Sequence, residues 1–100
     1  MGKQFGEKIR ELREKQHLYL RQVAPLLDMD TAQLSKIEKG KRQLKREQLS
    51  LIADILKVSY DELLTIWLAD QIYAIVKDED LASQAMKAAK QIMNEKKVKK

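Results

Sequence analysis

The apolar positions fall into short sets with helical spacing. Phe5, Ile9 and Leu12 mark an amphipathic helix over residues 3–16, ending near His17 because Leu18 starts a new apolar set. Leu20, Val23, Ala24 and Leu27 predict a short second helix near 20–27 with Pro25 inside it. A proline there removes one backbone hydrogen bond and crowds the preceding turn, so a distorted helix is expected. Asp28-Met29-Asp30 reads as a tight turn. Asp30 suits an N-cap, and Gln33 stands where a capping box wants Glu or Gln. Leu34 and Ile37 then give a third helix near 31–38, with Gly40 as its natural stop.

A fourth helix is predicted over 46–57 from Leu49, Ile52, Ala53, Ile55 and Leu56. Ser59-Tyr60-Asp61-Glu62 forms a second capping box and opens a fifth helix. Its apolar positions continue through Leu63, Leu64, Trp67, Leu68, Ile72, Ile75 and Val76, so it runs long. Lys77-Asp78-Glu79-Asp80 interrupts the pattern, and residues 81–95 read as a sixth helix with Leu81, Ala85, Ala88, Ala89 and Ile92 on one face. Trp67, Tyr73, Met86 and Met93 at these spacings read as packing or interface residues. The expected fold is all-α. Three Gly and one Pro support this, because an all-β chain needs many more turn residues. With 44% hydrophobic and 35% charged residues, the chain has enough apolar material to fold rather than stay disordered.

The absence of Cys excludes disulfides, thiolate metal sites and a Cys nucleophile, and a single His excludes His-pair metal chemistry. Neither a metal nor a cofactor is expected. No Gly-rich phosphate loop and no paired-carboxylate signature is present, so an enzyme is not expected. His17 is read as a turn residue. The start, Met1-Gly2-Lys3-Gln4-Phe5-Gly6-Glu7, has no apolar stretch of the kind a signal peptide carries. No run of about 18 apolar residues exists. A cytoplasmic protein without a membrane partner is the expectation.

The net charge of +5 favours an anionic partner. Its placement sharpens this. Residues 36–46 hold six basic side chains (Lys36, Lys39, Lys41, Arg42, Lys45 and Arg46) against Glu38 alone. The end of the chain, Lys96-Lys97-Val98-Lys99-Lys100, is basic too and reads as a solvated tail. Two short helices at 20–27 and 31–38 joined by a three-residue turn form a helix-turn-helix. The third helix puts Thr31, Ala32, Gln33, Ser35 and Lys36 outward. Short side chains of this kind near a helix N-terminus reach base edges in a major groove. The basic turn that follows suits phosphates.

Phe5 to Leu64 resembles the phage-repressor-like (Xre/Cro) helix-turn-helix family without a gap. The resemblance is carried by Ile9-Arg10-Glu11-Leu12-Arg13, Leu18, Val23-Ala24, Leu27, Leu34-Ser35-Lys36-Ile37-Glu38, Gly40-Lys41-Arg42, Leu49, Ile52-Ala53 and Val58-Ser59-Tyr60-Asp61-Glu62-Leu63. It implies a five-helix DNA-binding domain over 1–64; the apolar positions that continue beyond it leave 65–100 as a C-terminal helical extension for dimerisation, ending in the basic tail. It implies base contacts at Thr31, Ala32, Gln33, Ser35 and Lys36, and phosphate contacts at Tyr19, Lys39, Lys41, Arg42 and Lys45. It also implies a structural ion pair between Arg13 and Glu38. Tyr19 and Leu20 stand where the family usually has Ser or Thr and then Gln, so the Tyr19 hydroxyl is the donor left there. His17 and Asp28 replace usual glycines; both tolerate left-handed backbone better than most residues.

The apolar face beyond residue 64 needs a cover. Folding back on its own domain is one option; the favoured one is a homodimer built through Leu64, Trp67, Leu68, Ile72, Ile75 and Val76, in which two recognition helices about 34 Å apart match a roughly palindromic operator. The resulting expectation is a sequence-specific regulator on double-stranded DNA. Its size suits a restriction–modification controller, a phage repressor or an antitoxin. The alternative is a protein-interaction module of the same fold, with a toxin or another protein as partner.

Overall fold

In the computed structural model, which describes residues 3–98, the apolar periods become six α-helices and two short 3-10 turns, with no strand among the described residues. The helices are α1 (Lys3–Lys15), α2 (Leu20–Val23), α3 (Thr31–Glu38), α4 (Leu49–Leu56), α5 (Tyr60–Val76) and α6 (Ala82–Val98). Met1, Gly2 and the Lys99-Lys100 end of the basic tail lie outside the described residues.

Two of the predicted helices are each divided by a 3-10 turn. The second helix is α-helical only to Val23, and Ala24–Leu27 tightens into a 3-10 turn with Pro25 near its start. Pro25 costs least there, because N–H groups opening a helical turn lack partners anyway. The predicted fourth helix opens with a separate 3-10 turn, Arg46–Gln48. The expected domain boundary after residue 64 falls inside α5, which continues unbroken to Val76.

Four tight closures steer the chain. His17, Asp28, Gly40 and Lys57 all have positive φ, at 60°, 54°, 75° and 57°. Each is followed by the same bonding pattern. Leu18 N–H bonds Arg13 O at 3.1 Å, Met29 bonds Ala24 at 3.1 Å, Lys41 bonds Lys36 at 2.8 Å and Val58 bonds Ala53 at 3.0 Å. These are Schellman closures, which satisfy the last carbonyls of a helix and turn the chain back on itself. Only one of the four uses glycine.

The turned-back segments bury Phe5, Ile9, Val23, Leu27, Leu34, Ile37, Leu44, Leu49, Ile52, Leu56 and Leu63 in one core. The first turns of α5 close it, and two polar groups fix their place. Asp70, buried on α5, accepts the Phe5 N–H at 2.7 Å. It thereby caps a free amide at the start of α1, where the helix dipole favours a negative charge. The Trp67 indole N–H donates to the Leu44 carbonyl at 2.8 Å. The helix-turn-helix unit is thus tied to α5 well past residue 64. By contrast, α6 is exposed from Ser83 through Lys97. Among the described residues no helix is long and apolar enough to cross a membrane.

Candidate nucleic-acid interface

Helix α3 is positioned at both ends and on its inner face. The Asp30 carboxylate accepts the Gln33 N–H at 2.8 Å and starts the helix. Leu34 and Ile37 are buried beneath it. At its end, Glu38 takes the Arg13 guanidinium in a two-pronged contact, Nε to Oε2 at 2.7 Å and Nη2 to Oε1 at 2.9 Å. Arg13 Nη1 also donates to the Leu18 carbonyl at 2.8 Å. One guanidinium therefore ties α1, the loop entering α2, and the end of α3. Both residues are buried, 8% and 6% exposed. The hydrogen bond that Arg13 donates to Glu38 raises the Arg13 pKa above its ordinary value, against the opposing effect of burial, so the arginine stays charged. Gly6 completes the fit. A Cβ at Gly6 would collide with the Ile37 carbonyl and lie 2.6 Å from that of Glu38, so α1 crosses α3 at a point only glycine allows.

The outer face of α3 is free. Thr31, Ala32 and Lys36 are exposed, and Gln33 and Ser35 are half-buried at its edges. Immediately after the helix, Lys39, Lys41, Arg42 and Lys45 are all exposed. The loop carrying them is nonetheless fixed. Gly40 turns it, Leu44 is buried as its anchor, and Trp67 holds the Leu44 carbonyl. Gln48 accepts the Lys45 N–H at 3.1 Å and donates to the Leu27 carbonyl at 3.2 Å. A polar hollow of about 230 Å³ lies between this loop and α3, lined by Asp28, Gln33, Arg42, Gln43, Lys45 and Gln48. Gln33, Arg42 and Lys45 are thereby gathered at one place, with Lys36, Lys39 and Lys41 along the end of the helix.

At the start of α2, Tyr19 is exposed and its N–H is held by Gln22 Oε1 at 2.7 Å. The Arg21 guanidinium stacks over the Tyr19 ring at 4.6 Å. Sequence reading missed Arg21, which carries no signal until its stacking is seen. It also missed Trp67 and Asp70 as positioning groups. Two signals pointed to them: a lone acid amid apolar α5 positions, and an indole N–H, which seeks a partner when buried.

The residues expected to dimerise divide. Leu64 and Trp67 pack against the chain's own core, because the first half of α5 lies over α1 and α4. Leu68, Ile72 and Ile75 are exposed, and Val76 is half-buried.

The helix-turn-helix family profile matches residues 9–63. The chain is 34% identical over 89 residues to the "Uncharacterized HTH-type transcriptional regulator RghRB" of Bacillus subtilis (strain 168), covering 88% of this chain and 63% of that protein. It is 38% identical over 61 residues to the "HTH-type transcriptional repressor RghR" of the same organism, covering 60% of this chain and 45% of that protein. The chain thus spans less than two thirds of the length of these curated relatives. With the profile over more than half its residues and the all-helical repressor-like architecture beneath, this chain belongs to the helix-turn-helix family of the phage-repressor (Xre/Cro-like) type.

Proposed function

We propose that the chain is a transcriptional regulator that binds double-stranded DNA sequence-specifically, as a homodimer on a roughly palindromic operator, in the cytoplasm. The observation that carries this reading is the surface of α3: a rigidly mounted helix with its polar face free, followed by a fixed loop of four exposed cations. Thr31, Ala32, Gln33, Ser35 and Lys36 read base edges. Lys39, Lys41, Arg42 and Lys45 hold phosphates and set the register, with the Tyr19 hydroxyl at the start of α2. The relatives named as regulators and as a repressor support the same class.

The test separates the two contact types. Ser35→Ala and Lys36→Ala weaken binding to a site selected from random duplexes and change its base preference. Lys41→Ala and Arg42→Ala weaken binding to all sequences alike. If all four leave binding unchanged, α3 is not the reader.

A second reading is favoured by one observation. An apolar groove of about 750 Å³ runs between the start of α1 and α5, lined by Ile66, Ala69, Tyr73 and Ala74, with Lys3 and Lys77 at its rim. Such a groove suits an acidic helix of another protein, a toxin or other partner, with the fold used for interaction alone. A gel shift on genomic fragments at physiological salt discriminates the two, since the interaction module shifts none.

A further inference from the structure

Helix α6 has two chemically distinct sides. Ala85, Ala88, Ala89 and Ile92 share one stripe with Met86 and Met93 at its edge, whereas Ser83, Lys87, Lys90 and Asn94 lie opposite. From Ala82 through Lys97 only Ala82 is even half-buried; Ile92 is 55% and Met93 68% exposed. Among the described residues nothing covers the stripe beyond Met86, which meets Ile72, Tyr73 and Val76 of α5 in a shallow apolar hollow.

The charges at the two ends of α6 say what covers it. Asp78-Glu79-Asp80 precede the helix with only Leu81 between, and Lys96 and Lys97 stand in its last turn. None of these five side chains joins an ion pair among the described residues. Lys96 also falls by helical spacing on the apolar stripe itself, where a cation needs a carboxylate beside it. Resting on the dimeric reading above and specifying its contact, we infer that α6 pairs antiparallel with α6 of a second copy of this chain, around a two-fold axis at Ala89. In that register Ala85 faces Met93 of the second copy, small against large. Lys96 and Lys97 reach the acidic run of the second copy at each end. A parallel pair sets Lys96 against Lys96 and acid against acid, which costs rather than gains. The small side chains at Ala85, Ala88 and Ala89 allow the two helices to approach closely.

The chain has no cysteine, so single cysteines report the geometry cleanly. The experiment uses the full chain at tens of micromolar under mild oxidation, beside sedimentation analysis. Ala89→Cys should cross-link with itself nearly completely. Ala85→Cys alone should not, because its two copies sit about 12 Å apart along the axis, beyond the roughly 7 Å limit for a disulfide. Ala85→Cys mixed with Met93→Cys should cross-link. Lys96→Glu with Lys97→Glu should weaken self-association about tenfold or more, and adding Asp78→Lys with Asp80→Lys should recover it to within about threefold. A monomer at these concentrations overturns both this inference and the dimeric operator reading. A dimer that cross-links through Ala85→Cys alone, or that ignores the charge reversals, overturns the antiparallel α6 contact and leaves the dimeric reading standing.

Discussion

A guanidinium with almost no access to water needs a carboxylate, and the Arg13–Glu38 pair shows what that requirement does to an interface. The two-pronged contact holds α1 against the last turn of α3, and the third bond, to the Leu18 carbonyl, adds the entry to α2. Glu38→Ala leaves the arginine buried without its anion. The expected cost is about 3–5 kcal/mol, measured by urea unfolding. Arg13→Met combined with Glu38→Leu removes both charges and keeps the volume, so it should be more stable than either Arg13→Met or Glu38→Leu alone. A loss below about 1 kcal/mol for Glu38→Ala would place the pair among solvated surface contacts. The pair's worth to function is orientation. It fixes the end of α3 beside the basic loop, so DNA affinity of the charge-free double variant should fall even where its stability holds.

At the scale of elements, the turns decide the path more than the helices do. His17 and Lys57 sit in left-handed backbone where a side chain is strained, by roughly 1–2 kcal/mol for an ordinary residue. Lys57→Gly should therefore stabilise the fold by about 0.5–1 kcal/mol, and His17→Gly by less, since histidine enters this region more readily. Thermal unfolding would rise by about 4–8 °C per kcal/mol in a domain of this size; an unchanged or lowered midpoint for Lys57→Gly refutes the strain. The basic loop is a second such element. Trp67→Phe keeps an aromatic ring but loses the rest of the indole and its bond to the Leu44 carbonyl, for an expected cost of about 1 kcal/mol or more. It should also weaken DNA binding without changing base preference, as gel shifts on selected and mutated sites would show. These elements mark how far the sequence was legible. The apolar periods of α1, α3, α4 and α5 and the Asp30 and Ser59 caps were readable, because helical spacing and capping are local. His17 and Asp28 were readable as turns for the same reason. Lys57 was not, because lysine carries no left-handed preference and only its neighbours force it there. Trp67 and Asp70 were not placed, because the partners they bond lie 23 and 65 residues away. Of the candidate site, the composition of the α3 face was legible, but the anchoring of its loop from α5 was a matter of tertiary geometry.

For the whole molecule, the question is how many copies meet one stretch of duplex, and salt dependence answers it. Each phosphate contact made by a lysine or arginine releases condensed counterions, giving a slope of about −0.9 in log affinity against log salt per contact. Lys41 is exposed and closes α3 through its own N–H bond to Lys36, so its ammonium is available while its backbone is fixed. Lys41→Ala removes that one cation from each copy and leaves the closure intact. If a single copy binds, the slope flattens by about 0.9; if two copies bind a two-fold site, it flattens by about 1.8, because two contacts vanish together. The dimeric reading requires the larger change, measured by fluorescence anisotropy on the selected duplex between low and physiological salt. The same titration on a duplex carrying half the site should give the smaller change, since one copy then loses its partner's contacts. Equal changes on full and half sites would mean that the second copy adds no phosphate contact, and the recognition helices would then not act as a pair.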